Sequence, residues 1–360
     1  MLFAKHKASL TQILDGVCLL LLSLLLPSCE LGFYWQAASG QWEILSKRRP
    51  IDEVLEDAAV AETAKTKLRL VREVQTFGVE HVRLTAKGRY TKYSDLGRPQ
   101  VTWLVVASEP YRFQAVEHCF FIAGCFDYKG YFAREDADAF AAKLTAEGKD
   151  VLVRPVRAYS TLGWFDDPVL NTFLQADELE LMGTVLHEQA HRAIFVKNDT
   201  PFNEGLAEFV EDQGVREYLE GRGGEAVALL KTYDSRLADE ERFHQILLRG
   251  RERLDRLYQS GKPEPEQREE KARLFDALRQ DYQAERNSFI VFQYESWFAQ
   301  PLNNAHLLSV EQYQSRVAAF AALFRESGNK FAEFLEAVRT LAKLPPDERK
   351  AKLDELEKST

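Results

Sequence analysis

His187 and His191 stand four residues apart with Glu188 between them, in the stretch "LMGTVLHEQAHRAIFVKNDTPFNEGLAEFVEDQG" (181–214). Two further acids, Glu204 and Glu208, follow, again four apart. On a helix, a spacing of four puts both imidazoles on one face, one turn apart. From there each can reach a tetrahedral zinc ion (Zn2+) about 2.0–2.1 Å away. Glu188 projects beside such an ion without binding it. It can take a proton from a water attacking a carbonyl and hand it to the leaving amine. A third ligand must come from outside this helix, and Glu204 in "NEGLAEFV" is the candidate. Gly205 beside it removes a side chain where two helices would come close. Glu208, one turn further, suits the carboxylate that accepts the second ring N–H of a ligating histidine. The competing reading is a helix pair with solvated polar faces, but with only seven His in 360 residues, HExxH rarely arises by chance.

These side chains need elements to hold them. Residues 177–195 and 201–218 read as two helices joined by "VKNDT", with Pro201 in a first-turn position where its missing N–H costs nothing. Met182, Val185, Leu186, Ala190, Ala193 and Ile194 form the buried face of the first. Residues 33–77 carry helical periodicity. From 102 to 157 the signals turn to β: "TWLVVA", "YRFQAV", "CFFIAG" and "DVLVRPVRA", with a helix in "REDADAFAAKLTAEG" closed by Gly148. This predicts a small mixed sheet crossed by one helix. Beyond it, charge-rich helical segments flank "SGKPEPEQ", which predicts an antiparallel hairpin over about 224–286 whose charges are solvated. The expected class is α+β: a helical N-terminal segment (29–100), a sheet with the metal helices (101–220), and a largely helical C-terminal part (221–360).

The first residues carry a separate message. Lys5 and Lys7 precede the apolar run "VCLLLLSLLLP", too short to span a bilayer as a helix but suited to a signal-peptide core. It ends in "LPSC", which resembles the bacterial lipobox with an unusual Pro27. The competing readings are an ordinary cleaved signal and a short buried apolar helix. The lipobox makes 1–28 a lipoprotein signal peptide and Cys29 a lipid anchor. Glu30 after it, where an Asp would hold the protein at the inner membrane, implies the outer membrane on its periplasmic side. Two cysteines then remain, Cys119 and Cys125. A disulfide between them requires a turn, which Gly124 could supply; otherwise both are buried free thiols. The net charge of −9, with no dense Lys/Arg cluster, argues against a nucleic-acid partner.

"HEQAH" followed by "NEGLAEFVE" resembles the Glu-zincins, the thermolysin-like and neutral aminopeptidase group. There the Glu of the "NE" pair is the third ligand and an acid four residues on orients a histidine. In those enzymes that Glu lies further beyond the second His than the thirteen residues between His191 and Glu204. This leaves open whether Glu204 or Glu208 binds the metal. A broader resemblance rests on the lipobox, "GFYWQAASGQWEIL", "YKGYF", "AYSTLGWFDDPVL", the zinc stretch and "LNNA". In that order they are similar to a family of bacterial lipoproteins described as putative aminopeptidases. The resemblance implies a zinc peptidase of zincin-like fold at the cell envelope, acting on peptides.

By analogy with zincins, the stretch before the metal helix would line the cleft as an edge strand, with Ser160 and Thr161 against substrate backbone. Tyr159 could donate to the oxyanion, or be a core tyrosine. Asp166 could hold a substrate's α-ammonium, or mark a turn and helix start. Asn303 and Asn304 could bind substrate amides, or cap a turn. No Gly-Ala-Met-Glu-Asn-like segment, the carboxylate source in the neutral aminopeptidases, is present. Two alternatives therefore stay open: a zinc endopeptidase, and a non-catalytic lipid-anchored scaffold whose hairpin meets an unknown protein partner. The lone His118, His244 and His306 read as structural.

Overall fold

The computed structural model describes residues 28–85, 90–120, 124–157, 168–224, 226–311 and 316–358. No helix among them is long and apolar enough to cross a membrane. The chain begins with α1 (Ser28–Ser46), followed by β1 (Arg48–Pro50), α2 (Ile51–Glu56) and α3 (Glu62–Glu80). Next come β2 (Lys92–Ser94), β3 (Thr102–Ser108), the hairpin β4 (His118–Phe120) and β5 (Gly124–Phe126), and β6 (Tyr128–Tyr131). Helix α4 (Arg134–Ala146) crosses to β7 (Asp150–Val156), and β8 (Val169–Leu170) precedes the metal helices.

Among the described residues the β structure is three small sheets, where the sequence suggested one. In the first, β2 pairs antiparallel with β1 and parallel with β8. In the second, β3 lies between β6 and β7, both antiparallel to it. Pro155 sits on β7, an edge strand, where the N–H it lacks is not needed. Ala137, Ala141 and Leu144 of α4 close over Val105, Ala107 and Tyr131. Residues 111–116, expected as a strand, form a turn held by one bridge, Ser108 to Ala115. The strands β1, β2 and β8, of three, three and two residues, were not anticipated, being too short to carry a period.

The helices that carry the candidate site, α5 (Glu178–Ala193) and α6 (Thr200–Glu220), occupy the middle of the main core. Helices α7 (Ala226–Tyr258) and α8 (Glu264–Glu285) form the expected long hairpin. Together with α9 (Glu295–Phe298) and Leu307 of α10 (Asn304–Glu311) it builds a second core around Ile246, Leu278 and Tyr282. Gly250 permits the close packing of this hairpin, since a Cβ there would come within 2.6 Å of Leu278. One hairpin charge departs from the solvated reading: Asp239 is fully buried and accepts from the backbone N–H groups of Ile290, Val291 and Phe292. Helices α11 (Val317–Glu326), α12 (Phe331–Ala342) and α13 (Pro346–Lys358) pack Phe320, Phe324 and Phe334 against Phe202 and Phe209 of α6.

Candidate metal centre

Helix α5 forms because an apolar stripe meets a strong start signal. Leu181, Met182, Val185, Leu186 and Ala190 are buried, at most 4% exposed. The N-cap Asp177 accepts from the N–H groups of Leu179 and Glu180 and is gripped by Arg236 through two hydrogen bonds of 2.8 Å. Helix α6 begins after a turn in which Asn198 takes φ +63°. Its N-cap Asp199 accepts from Phe202 N–H and from Arg349. Asn203, 3% exposed, both donates to Val196 O and accepts from Val196 N–H, each at 2.8 Å. That double bond fixes the connection, and with it the position of Glu204 relative to His191.

Three donor groups converge: two imidazoles and one carboxylate. His187 Nε2 and His191 Nε2 are 3.1 Å apart, and Glu204 Oε2 and Oε1 lie 3.4 and 3.6 Å from them respectively. The carboxylate distances are long for charge-assisted hydrogen bonds, which close to about 2.7–2.9 Å. All three match the edge of a tetrahedron around an ion at about 2.0–2.1 Å, which is about 3.3–3.4 Å. The donor set, two imidazoles and one carboxylate, fits zinc with a fourth position left for solvent or substrate. Gly205, as expected, sits at a close approach: a Cβ there would meet the backbone of Arg316 at 2.6 Å.

The charges of the site are those of a cation receptor. Burial disfavours a charged His187, yet the neighbouring carboxylates of Glu204 and Glu211 raise its pKa to about 11. Burial likewise raises Glu204, but the two histidines bring it down to about 2. A metal would take the place of the proton these groups share. The carboxylate on His187 Nδ1 is Glu211, with its Oε2 at 3.0 Å. Glu208, expected to accept from a ligating histidine, lies half-buried one turn earlier on α6 and is not this partner of His187. Gly183 makes Glu211's approach possible, since a Cβ there would fall 2.3 Å from its Oε1. The signal was present as Glu204, Glu208 and Glu211, spaced four and three along one face of α6. Next to Glu211, burial and that neighbouring charge push Asp212 up to about 6, and it accepts from Tyr233 O–H at 2.9 Å.

Glu188 lines a small crevice with Tyr90, Thr184, Phe173 and the chain from Pro168 to Leu170. Thr172 donates to Arg157 O at 2.6 Å, which ties together the chain on either side of 158–167. Tyr159, Ser160, Thr161 and Asp166 lie outside the described residues. Cys29 stands in the first turn of α1. Cys119 and Cys125 face each other across the β4–β5 hairpin and are joined as a disulfide, with Gly124 at φ +87° beside the turn.

Asn303 and Asn304 have a structural role in place of the substrate-binding role suggested above. Asn304 is fully buried, accepts from Tyr258 O–H at 2.7 Å, and donates to the carbonyls of Glu109 and Pro110. Asn303 donates to Val151 O. The pair fastens the start of α10 to the end of β3 and the start of β7. His306, whose Nδ1 lies 3.0 Å from Asn303 Oδ1, is brought by burial down to about 4 and belongs to the same structural cluster.

A family model described as "Putative aminopeptidase" matches residues 32–353, nearly the whole chain, and the chain belongs to that family. No curated protein and no solved structure matches it.

Proposed function

We propose that this member of the aminopeptidase family is a zinc-dependent peptidase, with His187, His191 and Glu204 as the metal ligands and Glu188 as general base. The observation that carries the reading is the convergence of two imidazole nitrogens, 3.1 Å apart, with a carboxylate whose two oxygens lie 3.4 and 3.6 Å from them. Zinc held there would supply Lewis acidity, polarising a peptide carbonyl and making water nucleophilic near neutral pH. Glu188 accepts a proton on a carboxylate oxygen as water attacks the carbonyl carbon. It returns that proton to the amine nitrogen as the C–N bond breaks. Glu211 fixes the His187 ring so that Nε2, not Nδ1, faces the centre.

Beside the ligands the site carries a surplus of negative charge. Glu208, Glu211, Asp212 and Glu240 lie within electrostatic reach of one another. That field favours a substrate bearing a free α-ammonium, which supports exopeptidase over endopeptidase action. The lipobox-like "LPSC" supports a location at the bacterial cell envelope, with an anchor through Cys29 on the periplasmic face of the outer membrane.

Glu188→Gln tests the mechanism. The variant should keep one zinc per chain and lose peptide turnover by about 10²–10⁴-fold. Full turnover with zinc retained would remove Glu188 from the chemistry. Peptides with acetylated N-termini test the substrate class: an aminopeptidase leaves them intact, and an endopeptidase cleaves them.

A further inference from the structure

We infer that the outer face of α1 lies on a lipid bilayer, with Trp35 and Trp42 seated at its interface. The inner face of α1 is already occupied. Phe33 stacks on Phe120, and Gln36 donates to Gly130 O and accepts from Phe132 N–H. Gly40 fits against the Phe132 ring, and Ile44 is buried. The opposite face carries Trp35 and Trp42, 76% and 71% exposed. Seven residues apart on the helix, they point the same way, about 10 Å from each other along the axis. Between Leu31 and Trp42 there is no charged residue, and the rest of the exposed stripe is Gly32, Ala38 and Ser39.

The choice of lipid as the occupant comes from continuity. The apolar run "VCLLLLSLLLP" and Cys29 lie directly upstream, so a membrane reached by either must pass close to the first turn of α1. Tryptophan suits the boundary between headgroups and acyl chains, because its ring is apolar and its N–H needs a partner. Acyl chains on Cys29 would hold the chain at one point, and a second apolar contact beside that point would fix the orientation of the body. The inference rests on the envelope location proposed above and adds to it that the body is held in one orientation, with α1 flat on the surface.

The test uses the full, processed chain in vesicles of brominated phosphatidylcholine, which quenches tryptophan only on contact with lipid. Two of the chain's five Trp should be quenched, removing up to about two-fifths of the emission. The Trp35→Phe/Trp42→Phe variant should show almost no fractional quenching, because Trp103 and Trp297 report from the body. Absence of quenching in the parent, or equal fractional quenching in the variant, overturns the inference. So does a dimer in solution that Trp35→Ala/Trp42→Ala dissolves, which would make a second copy the occupant. Intact mass reads acylation of Cys29 separately. An unacylated chain with quenched tryptophans refutes the anchor and leaves the helix face standing.

Discussion

Gly183→Ala probes the proposed metal site with little change to the fold, because the three atoms nearest the added methyl all belong to Glu211. A Cβ there would stand 2.3 Å from Glu211 Oε1, 3.0 Å from its Cδ and 3.2 Å from its Cγ. Ordinary contact needs about 3.5 Å, so the carboxylate must retreat by about 1 Å. The His187 Nδ1 to Glu211 Oε2 distance is 3.0 Å, and that retreat carries it past the hydrogen-bonding range. His187 then loses the partner that fixes its ring, a change expected to lower zinc affinity or activity about 10–100-fold, or about 1.4–2.8 kcal/mol. The fold gains about 1 kcal/mol from alanine in a helix, which offsets part of the crowding. Zinc affinity from chelator competition, peptide turnover, and unfolding of the metal-free protein should be measured together. Glu211→Gln should give a loss of similar size, and the double variant should lose little more than either alone. Wild-type zinc affinity in Gly183→Ala, or losses that simply add in the double variant, would refute the role given to Glu211.

Three further outcomes follow from the geometry. Asp212 is raised from 3.8 to about 6 by burial and Glu211, so in the metal-free protein it is neutral and costless below about pH 4 and destabilises as pH rises through about 6. Asp212→Asn should therefore be more stable than the parent at pH 7.5, on the order of 2 kcal/mol by urea denaturation, with the difference vanishing near pH 4. Asn304→Ala leaves the carbonyls of Glu109 and Pro110 and the Tyr258 hydroxyl short of partners, and should cost about 2–3 kcal/mol in stability without changing KM; a raised KM in a stably folded variant would restore the substrate role. Replacing Cys119 and Cys125 by Ser opens a short loop and should cost about 2 kcal/mol, with turnover unchanged, as read by thermal unfolding and peptide assay.

The parts of the site readable in the sequence are those whose chemistry and spacing lie on one helix. His187, Glu188 and His191 declare themselves through a single period, and the apolar stripe behind them is the core face found in the structure. Glu211 was not readable, because its role depends on how α5 and α6 cross, and that depends on a missing side chain at Gly183. The asparagines failed for a similar reason. "PLNNAH" after a proline reads the same for a substrate loop as for a capped helix start, and only the docking of α10 on β3 and β7 decides. The hairpin was legible from its long periodic helices, whereas strands of two or three residues gave no period to find.

The short connection between α5 and α6 favours Glu204 over Glu208 as the proposed third ligand. Asn203 clamps the turn to Val196, so α6 starts at Thr200 and Glu204 falls at the end of its first turn, level with both imidazoles. From there α6 runs back along α5, since Glu204 meets His191 and His187, Glu211 meets His187 and Gly183, and Gly214 meets Leu186. Glu208 lies about 6 Å further along the axis at 1.5 Å per residue, more than a carboxylate's own span. In this register the group of donors gathered within ligating reach among the described residues is His187, His191 and Glu204. A connection several residues longer would need a different clamp to put a glutamate at the same level, so the thirteen-residue spacing and the Asn203 clamp are one device.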